Sequence, residues 1–322
     1  MFKEDIKRSK NLKNILDAHG FTKNEIGIAI IDIKDLEPKI FGYNMDHFIY
    51  PASVYKIFIG AEVLRRIEVG DFSLDQIIEI KSPNDVDKDS KIFPGDTRNL
   101  LKEGDRVSVD YLLDLMLTRS ENTASNTLIN LVGRENITKN IVHKYNWNGS
   151  EVTKKFLDRI KEDNPYRYSE VTLSCTRHLV EFFYLVEKER LISVFVSEKL
   201  KEYMLRWNRN SARTGLAISD YISYYRKGGY LENNLYLPFY KSYYKKAGFG
   251  LDYAARGIFQ LLKTIITKRY GFIRWVNDVG VVKGENSHYV IAVLTVNKQL
   301  NPYKKFKMEK LAKIIYDFME NK

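Results

Sequence analysis

The sequence predicts an α/β (α+β) protein, in which an antiparallel sheet of about five strands from both chain ends is flanked by helices and interrupted by an inserted all-helical domain. Three observations carry this reading. Two β-rich runs lie early, at residues 26–33 and 39–44; helical periodicity dominates from Ser53 to about residue 210; and strand-like runs return only late, at residues 243–249, 272–282 and 288–296. The division assigns residues 1–50 and 212–322 to a sheet domain and residues 51–211 to a helical domain.

Taken in order, residues 1–20 read as a polar, Lys-rich helix ending near His19-Gly20, with Leu12, Ile15 and Leu16 on its buried side. The runs at 26–33 and 39–44, separated by a short turn region, make a hairpin. An amphipathic helix follows: apolar residues recur at Ile57, Ala61, Leu64 and Ile67, and Gly70 stands where a left-handed cap would end it. Residues 109–117 form the most apolar helix of the middle block, continued by residues 122–131 after a break. Residues 145–172 are the least periodic and are expected to be a long surface loop with short helical pieces, the kind of loop that carries function. Helix returns over 173–201, and a terminal helix over 307–320 closes the chain.

With 322 residues the chain can bury roughly three quarters of its unfolded surface. Its 44% hydrophobic and 29% charged composition is that of a globular protein. Cys175 is the single cysteine, which excludes an internal disulfide and a cysteine-rich metal site. The net charge of +11 favours anionic partners, yet the basic residues are spread along the whole chain without the glycine–aromatic pattern of an RNA-binding module, so no nucleic-acid partner is expected. No apolar run is long enough to cross a membrane, and residues 1–5 lack a signal-peptide core. The expected location is cytoplasmic, or extracytoplasmic if an export segment is missing. A monomer acting on a small-molecule or peptide substrate is expected.

The chemistry centres on Tyr50-Pro51-Ala52-Ser53-Val54-Tyr55-Lys56. A three-residue step places Ser53 at the helix start and Lys56 on the same face one turn later. Serine is a weak nucleophile until a neighbouring base takes its proton, and a lysine desolvated by Ile57, Phe58 and Ile59 can be that base. Backbone N–H groups at the helix start suit a developing oxyanion. The spacing alone is weak evidence, since Ser is a common N-cap and Ser242-Tyr243-Tyr244-Lys245 repeats it. Two further elements add weight. Ser120-Glu121-Asn122 offers a hydroxyl and an amide from a turn between helices, and Lys246-Ala247-Gly248 offers an ammonium followed by small residues on an expected strand. Ser82-Pro83-Asn84 imitates the first; Lys102-Glu103-Gly104 and Lys227-Gly228-Gly229 imitate the second.

In this order the three elements resemble the S-x-x-K, S-D-N and K-T-G set of the penicillin-recognising serine hydrolases, and within them the class A β-lactamase-like branch. The resemblance extends to Asn277-Asp278-Val279-Gly280-Val281-Val282 and runs from about Ile26 to the C-terminus. It implies a β-lactamase/transpeptidase-like fold and an acyl-enzyme on Ser53, with Lys56 accepting or relaying the proton and Ser120 passing one to the leaving nitrogen. It further implies that Asn122 binds the substrate amide, that Lys246 with Ala247 and Gly248 holds the substrate carboxylate, and that the N–H groups of Ser53 and Phe249 form the oxyanion hole. No metal or organic cofactor is required.

Departures qualify the implied activity. Glu121 stands for the usual Asp, and Ala247 for a Thr or Ser whose hydroxyl helps bind carboxylate. Residues 145–172 contain no Glu-x-x-Leu-Asn, the segment that activates the deacylating water in the class A enzymes; Glu151, Asp158, Glu162 and Glu170 are the available carboxylates. A missing general base costs about a hundredfold or more, so slow deacylation of a β-lactam or of a cell-wall-peptide-like amide or ester is expected. The alternative is a non-catalytic binder or sensor of cell-wall peptide or β-lactam on the same fold.

Overall fold

The computed structural model describes residues 2–22, 25–88, 96–157, 172–206, 223–234, 272–299 and 308–321. Among them are eight helices, α1 (Ile6–Ala18), α2 (Lys56–Glu68), α3 (Val109–Asp114), α4 (Asn122–Val132), α5 (Arg134–Ile137), α6 (Thr176–Glu187), α7 (Val194–Leu205) and α8 (Met308–Glu320). The main sheet joins β1 (Glu25–Asp32), β2 (Ile40–Tyr43), β5 (Ser223–Asn234), β6 (Phe272–Lys283) and β7 (His288–Gln299) in the order β2-β1-β7-β6-β5, with every neighbouring pair antiparallel. The expected five-stranded antiparallel sheet from both chain ends, flanked by helices, is therefore present. The inserted segment is not purely helical, however: β3 (Ile77–Glu79) and β4 (Arg106–Ser108) form a small second sheet inside it.

The apolar runs of β1 and β7 have a simple cause: both faces of the sheet are covered, so residues of both parities must be hydrophobic. Ala29, Ile31, Val290, Ala292 and Leu294 face the large core made with the inserted helices. Their neighbours Ile28, Ile30, Ile291 and Val293 face a smaller core closed by Leu12 and Leu16 of α1 and Leu311 and Ile315 of α8. Each such side chain contributes about 1.5–3 kcal/mol on burial, which fixes the register because a one-residue slip would exchange the two faces.

The expected elements are largely found, with two differences. The helical run over 173–201 is two helices, α6 and α7, broken where Glu189 and Ile192 adopt positive φ of 57° and 65°. The strand that pairs with β6 is β5, over residues 223–234, a stretch the sequence did not mark as a strand. The run at 243–249 lies outside the described residues.

Candidate active site

A tight 3-10 turn, Ala52–Tyr55, leads into α2, so Ser53 sits one turn ahead of Lys56. The turn is held from two sides. The Asn277 amide on β6 donates to the Tyr50 carbonyl at 2.9 Å. Tyr55 is buried and donates to the Lys154 carbonyl at 3.2 Å. Ala52, directly before the serine, has φ 50°, a left-handed conformation that costs an alanine about 1 kcal/mol and persists because the surroundings impose it.

Lys56 is fully buried. Its Nζ donates to the Ser120 carbonyl at 2.6 Å, to Ser120 Oγ at 3.3 Å and to Asn122 Oδ1 at 2.8 Å. Ser120 reaches it because α3 runs into a wide turn, Leu115–Arg119, that ends with Ser120 itself in the left-handed region at φ 64°. Burial pushes the Lys56 amine down to about 7, against the opposing pull of the Asp87 and Glu121 carboxylates. Near neutral pH the amine can therefore give up a proton and take one back, as a general base requires.

The ring of Phe156 covers the same amine at 4.2 Å and stacks on Tyr55 with centroids 4.9 Å apart and planes 7° from parallel. Its backbone N–H donates to Asn126 Oδ1 at 2.8 Å, leaving Asn126 Nδ2 buried and without a partner among the described residues. Of the four carboxylates noted in the 145–172 loop, Glu151 takes hydrogen bonds from the Gly149 N–H at 3.0 Å and is paired with His143 at 3.2 Å. Asp158, Glu162 and Glu170 lie outside the described residues.

On the opposite wall β5 carries Lys227, Gly228 and Gly229. Lys227 is buried, and burial followed by the charges of Lys56 and Arg226 depresses its pKa well below the ordinary lysine value. Gly229 lies against the serine turn so closely that a first side-chain carbon there would sit 2.4 Å from the Pro51 carbonyl oxygen and 2.9 Å from the Ser53 nitrogen. Among the described residues β5 is the last strand in the sheet order.

Hydrogen bonds thus join Lys56, Ser120 and Asn122, with Ser53 in the turn just ahead of the lysine. Lys246, Ala247, Gly248 and Phe249, which the sequence reading placed at the site, lie outside the described residues; Lys227, which that reading set aside as an imitation, lies on β5 within electrostatic reach of Lys56. One residue with no sequence signal of its own joins the group: Asp87 bonds both the backbone and the side chain of Asn122. Among the described residues no cluster of side chains suits a metal ion, and no helix is long and apolar enough to cross a membrane.

Comparison with known proteins agrees with this geometry. No curated protein is similar enough in sequence to count as a relative. Among solved structures, the extended-spectrum β-lactamase TLA-1 superposes with a TM-score of 0.69 at 17% identity, over 96% of this chain and 98% of its own. A class A β-lactamase from Bacteroides cellulosilyticus gives 0.69 at 18% identity, over 98% and 99%. A variant of PBP-A, captured as an acyl-enzyme complex with penicillin G, gives 0.69 at 13% identity over all of both chains. These likenesses establish the fold. The sequence also matches the family described as "Beta-lactamase enzyme family" over residues 7–319, nearly its whole length, so the chain belongs to the β-lactamase enzyme family, whose members are serine hydrolases of the β-lactamase kind.

Proposed function

We propose that the protein forms an acyl-enzyme on Ser53 with a β-lactam or a cell-wall-peptide-like amide or ester, and that the acyl group leaves slowly. Ser53 Oγ attacks the carbonyl carbon while its proton passes to the neutral Lys56 amine; the C–N bond then breaks as Ser120 hands its proton to the leaving nitrogen and takes one in turn from the Lys56 ammonium. The Ser53 backbone N–H and a backbone donor of β5 near Gly229 stabilise the oxyanion. Asn122 receives the substrate amide. Lys227, in place of the Lys246 expected from the sequence, binds the substrate carboxylate.

The observation that carries this reading is the environment of Lys56: buried, held by Ser120 and Asn122, and covered by the Phe156 ring. The first two contacts suit proton transfer during attack. The third supports slow release, because carbon fills the space beside the lysine where a carboxylate would have to hold a water.

Intact-mass spectrometry and chromogenic kinetics with benzylpenicillin test the proposal together. The expected result is one equivalent of adduct, a burst followed by a slow steady rate, and loss of the adduct in Ser53→Ala with folding retained. Labelling that survives Ser53→Ala would overturn the assignment. Reversible binding without an adduct, to penicillin or to a simple ester, would favour the non-catalytic binder.

A further inference from the structure

Helix α4 begins without a cap of its own. Its N-cap residue, Glu121, makes no side-chain bond to the first turn, because its carboxylate is taken by the Arg119 Nε at 2.9 Å and the Leu101 N–H at 3.0 Å. The cap comes from a loop about thirty-five residues earlier. Asp87 accepts the N–H of Asn122 and, at 2.9 Å, that of Thr123; in return Thr123 Oγ1 accepts the N–H groups of Val86 and Asp87 at 3.0 and 3.1 Å. A carboxylate at a helix N-terminus also gains from the helix dipole.

Asp87 does more than cap. Its Oδ1 accepts the Asn122 Nδ2–H at 3.2 Å, and an amide whose nitrogen is committed in that direction must turn its oxygen the other way. That oxygen is the one that accepts from Lys56 Nζ at 2.8 Å. The carboxylate, the amide and the lysine form one line, with Asp87 buried at its far end.

We propose that Asp87 is the positioning residue of this site: acting through Asn122, it fixes where the Lys56 amine points and how firmly that amine keeps its proton. The inference rests on the acyl-transfer reading above but concerns a residue outside that machinery. Lys56 is faced by Asp87 from the loop, by Glu121 ahead of α4 and by Lys227 from β5. The two carboxylates favour the charged lysine, and Asp87 has the stronger pull; the charge of Lys56 in turn lowers the proton affinity of Lys227. Removing the Asp87 charge should therefore move Lys56 deprotonation to lower pH. It should also release the Asn122 amide, so acylation would begin at lower pH and reach a lower plateau.

The test is the Asp87→Asn variant with two readouts. The first is the Lys56 titration followed by NMR on protein with 13C-labelled lysine, its signal assigned by its absence in Lys56→Arg. The second is the pH profile of benzylpenicillin acylation. A fall in the NMR midpoint of about one unit or more, matched by the acylation profile, is expected. Thr123→Ala is the control: it weakens the same loop without touching a charge, and should lower stability while leaving the midpoint in place. An unmoved midpoint in Asp87→Asn, or an equal shift in Thr123→Ala, would overturn the proposal in favour of plain loop anchoring. Should Asp87→Asn fail to fold, Asp87→Glu replaces it: the midpoint should hold while acylation slows, and a midpoint that falls with the charge still present would overturn it. Because the NMR readout needs no substrate, a shifted midpoint in a protein that penicillin does not label would refute the acyl-enzyme reading and leave this one standing.

Discussion

The Phe156 ring lies 4.2 Å from Lys56 Nζ and stacks on Tyr55, and its backbone N–H is tied to Asn126 Oδ1, so position 156 is anchored beside the lysine. Replacing it with a carboxylate would put a base there, and Asn126 Nδ2, now without a partner among the described residues, would supply a donor to hold it. Phe156→Glu is accordingly expected to raise the steady rate of penicillin hydrolysis about a hundredfold while leaving the burst at one equivalent, read by stopped-flow kinetics. A steady rate that stays at the wild-type level would show that the slow step lies elsewhere. The grouping of Lys56 with Ser120 and Asn122 was legible in the sequence because each motif's spacing is local and their neighbours form strongly periodic helices. Asp87 was not, since nothing in Asn84-Asp85-Val86-Asp87 says which helix it caps. A cap missing at Glu121 was the available clue.

At the scale of elements, β5 is where the sequence misled. Its Tyr224-Tyr225-Arg226-Lys227-Gly228-Gly229-Tyr230 run has adjacent charges and a Gly-Gly pair, which read as a turn and not as a strand interior. Each oddity has a physical reason. Arg226 is buried on the face away from the serine and paired there with Asp278 of β6; Lys227 faces the site; Gly229 has no room for a side chain. Lys246-Ala247-Gly248 looked the better candidate because of its order in the chain and its place on an expected strand. The close approach at 229 gives a direct check. Gly229→Ala should push the Pro51–Val54 turn away and cost about 1–3 kcal/mol, and acylation of Ser53 should be lost to a greater degree than stability. Denaturant unfolding beside adduct formation separates the two, and an alanine variant that acylates at the normal rate would contradict the packing.

For the molecule as a whole, one acidic side chain ties the inserted helices to the sheet. Glu187 of α6 is bonded by Tyr225 of β5 at 2.8 Å, by Lys201 of α7 at 2.9 Å and by His288 of β7 at 3.1 Å. Burial alone would raise its pKa, but the bonds from His288, Lys201 and Tyr225 outweigh it and hold the group at about 2. A carboxylate depressed in this way stabilises the fold above its ordinary range, near 4.5, and the contribution fades as pH falls from there toward 2. After allowance for solvent screening it is about 2 kcal/mol. Glu187→Gln should therefore unfold more readily than wild type at pH 7, with the gap closing as the solution is acidified toward pH 3. A gap independent of pH would mean that shape and not charge matters at this junction.

The paired lysines of the site have a thermodynamic corollary. Lys56 and Lys227 are both buried, both depressed, and placed so that the charge of the first lowers the proton affinity of the second. The two lysines thus hold protons less firmly than the same side chains in water. On the reading proposed for Lys227, a carboxylate settling against it would restore the missing affinity, so ligand and proton should arrive together: binding should take up hydrogen ions from the medium, with an apparent strength and heat that depend on the buffer that gives them up.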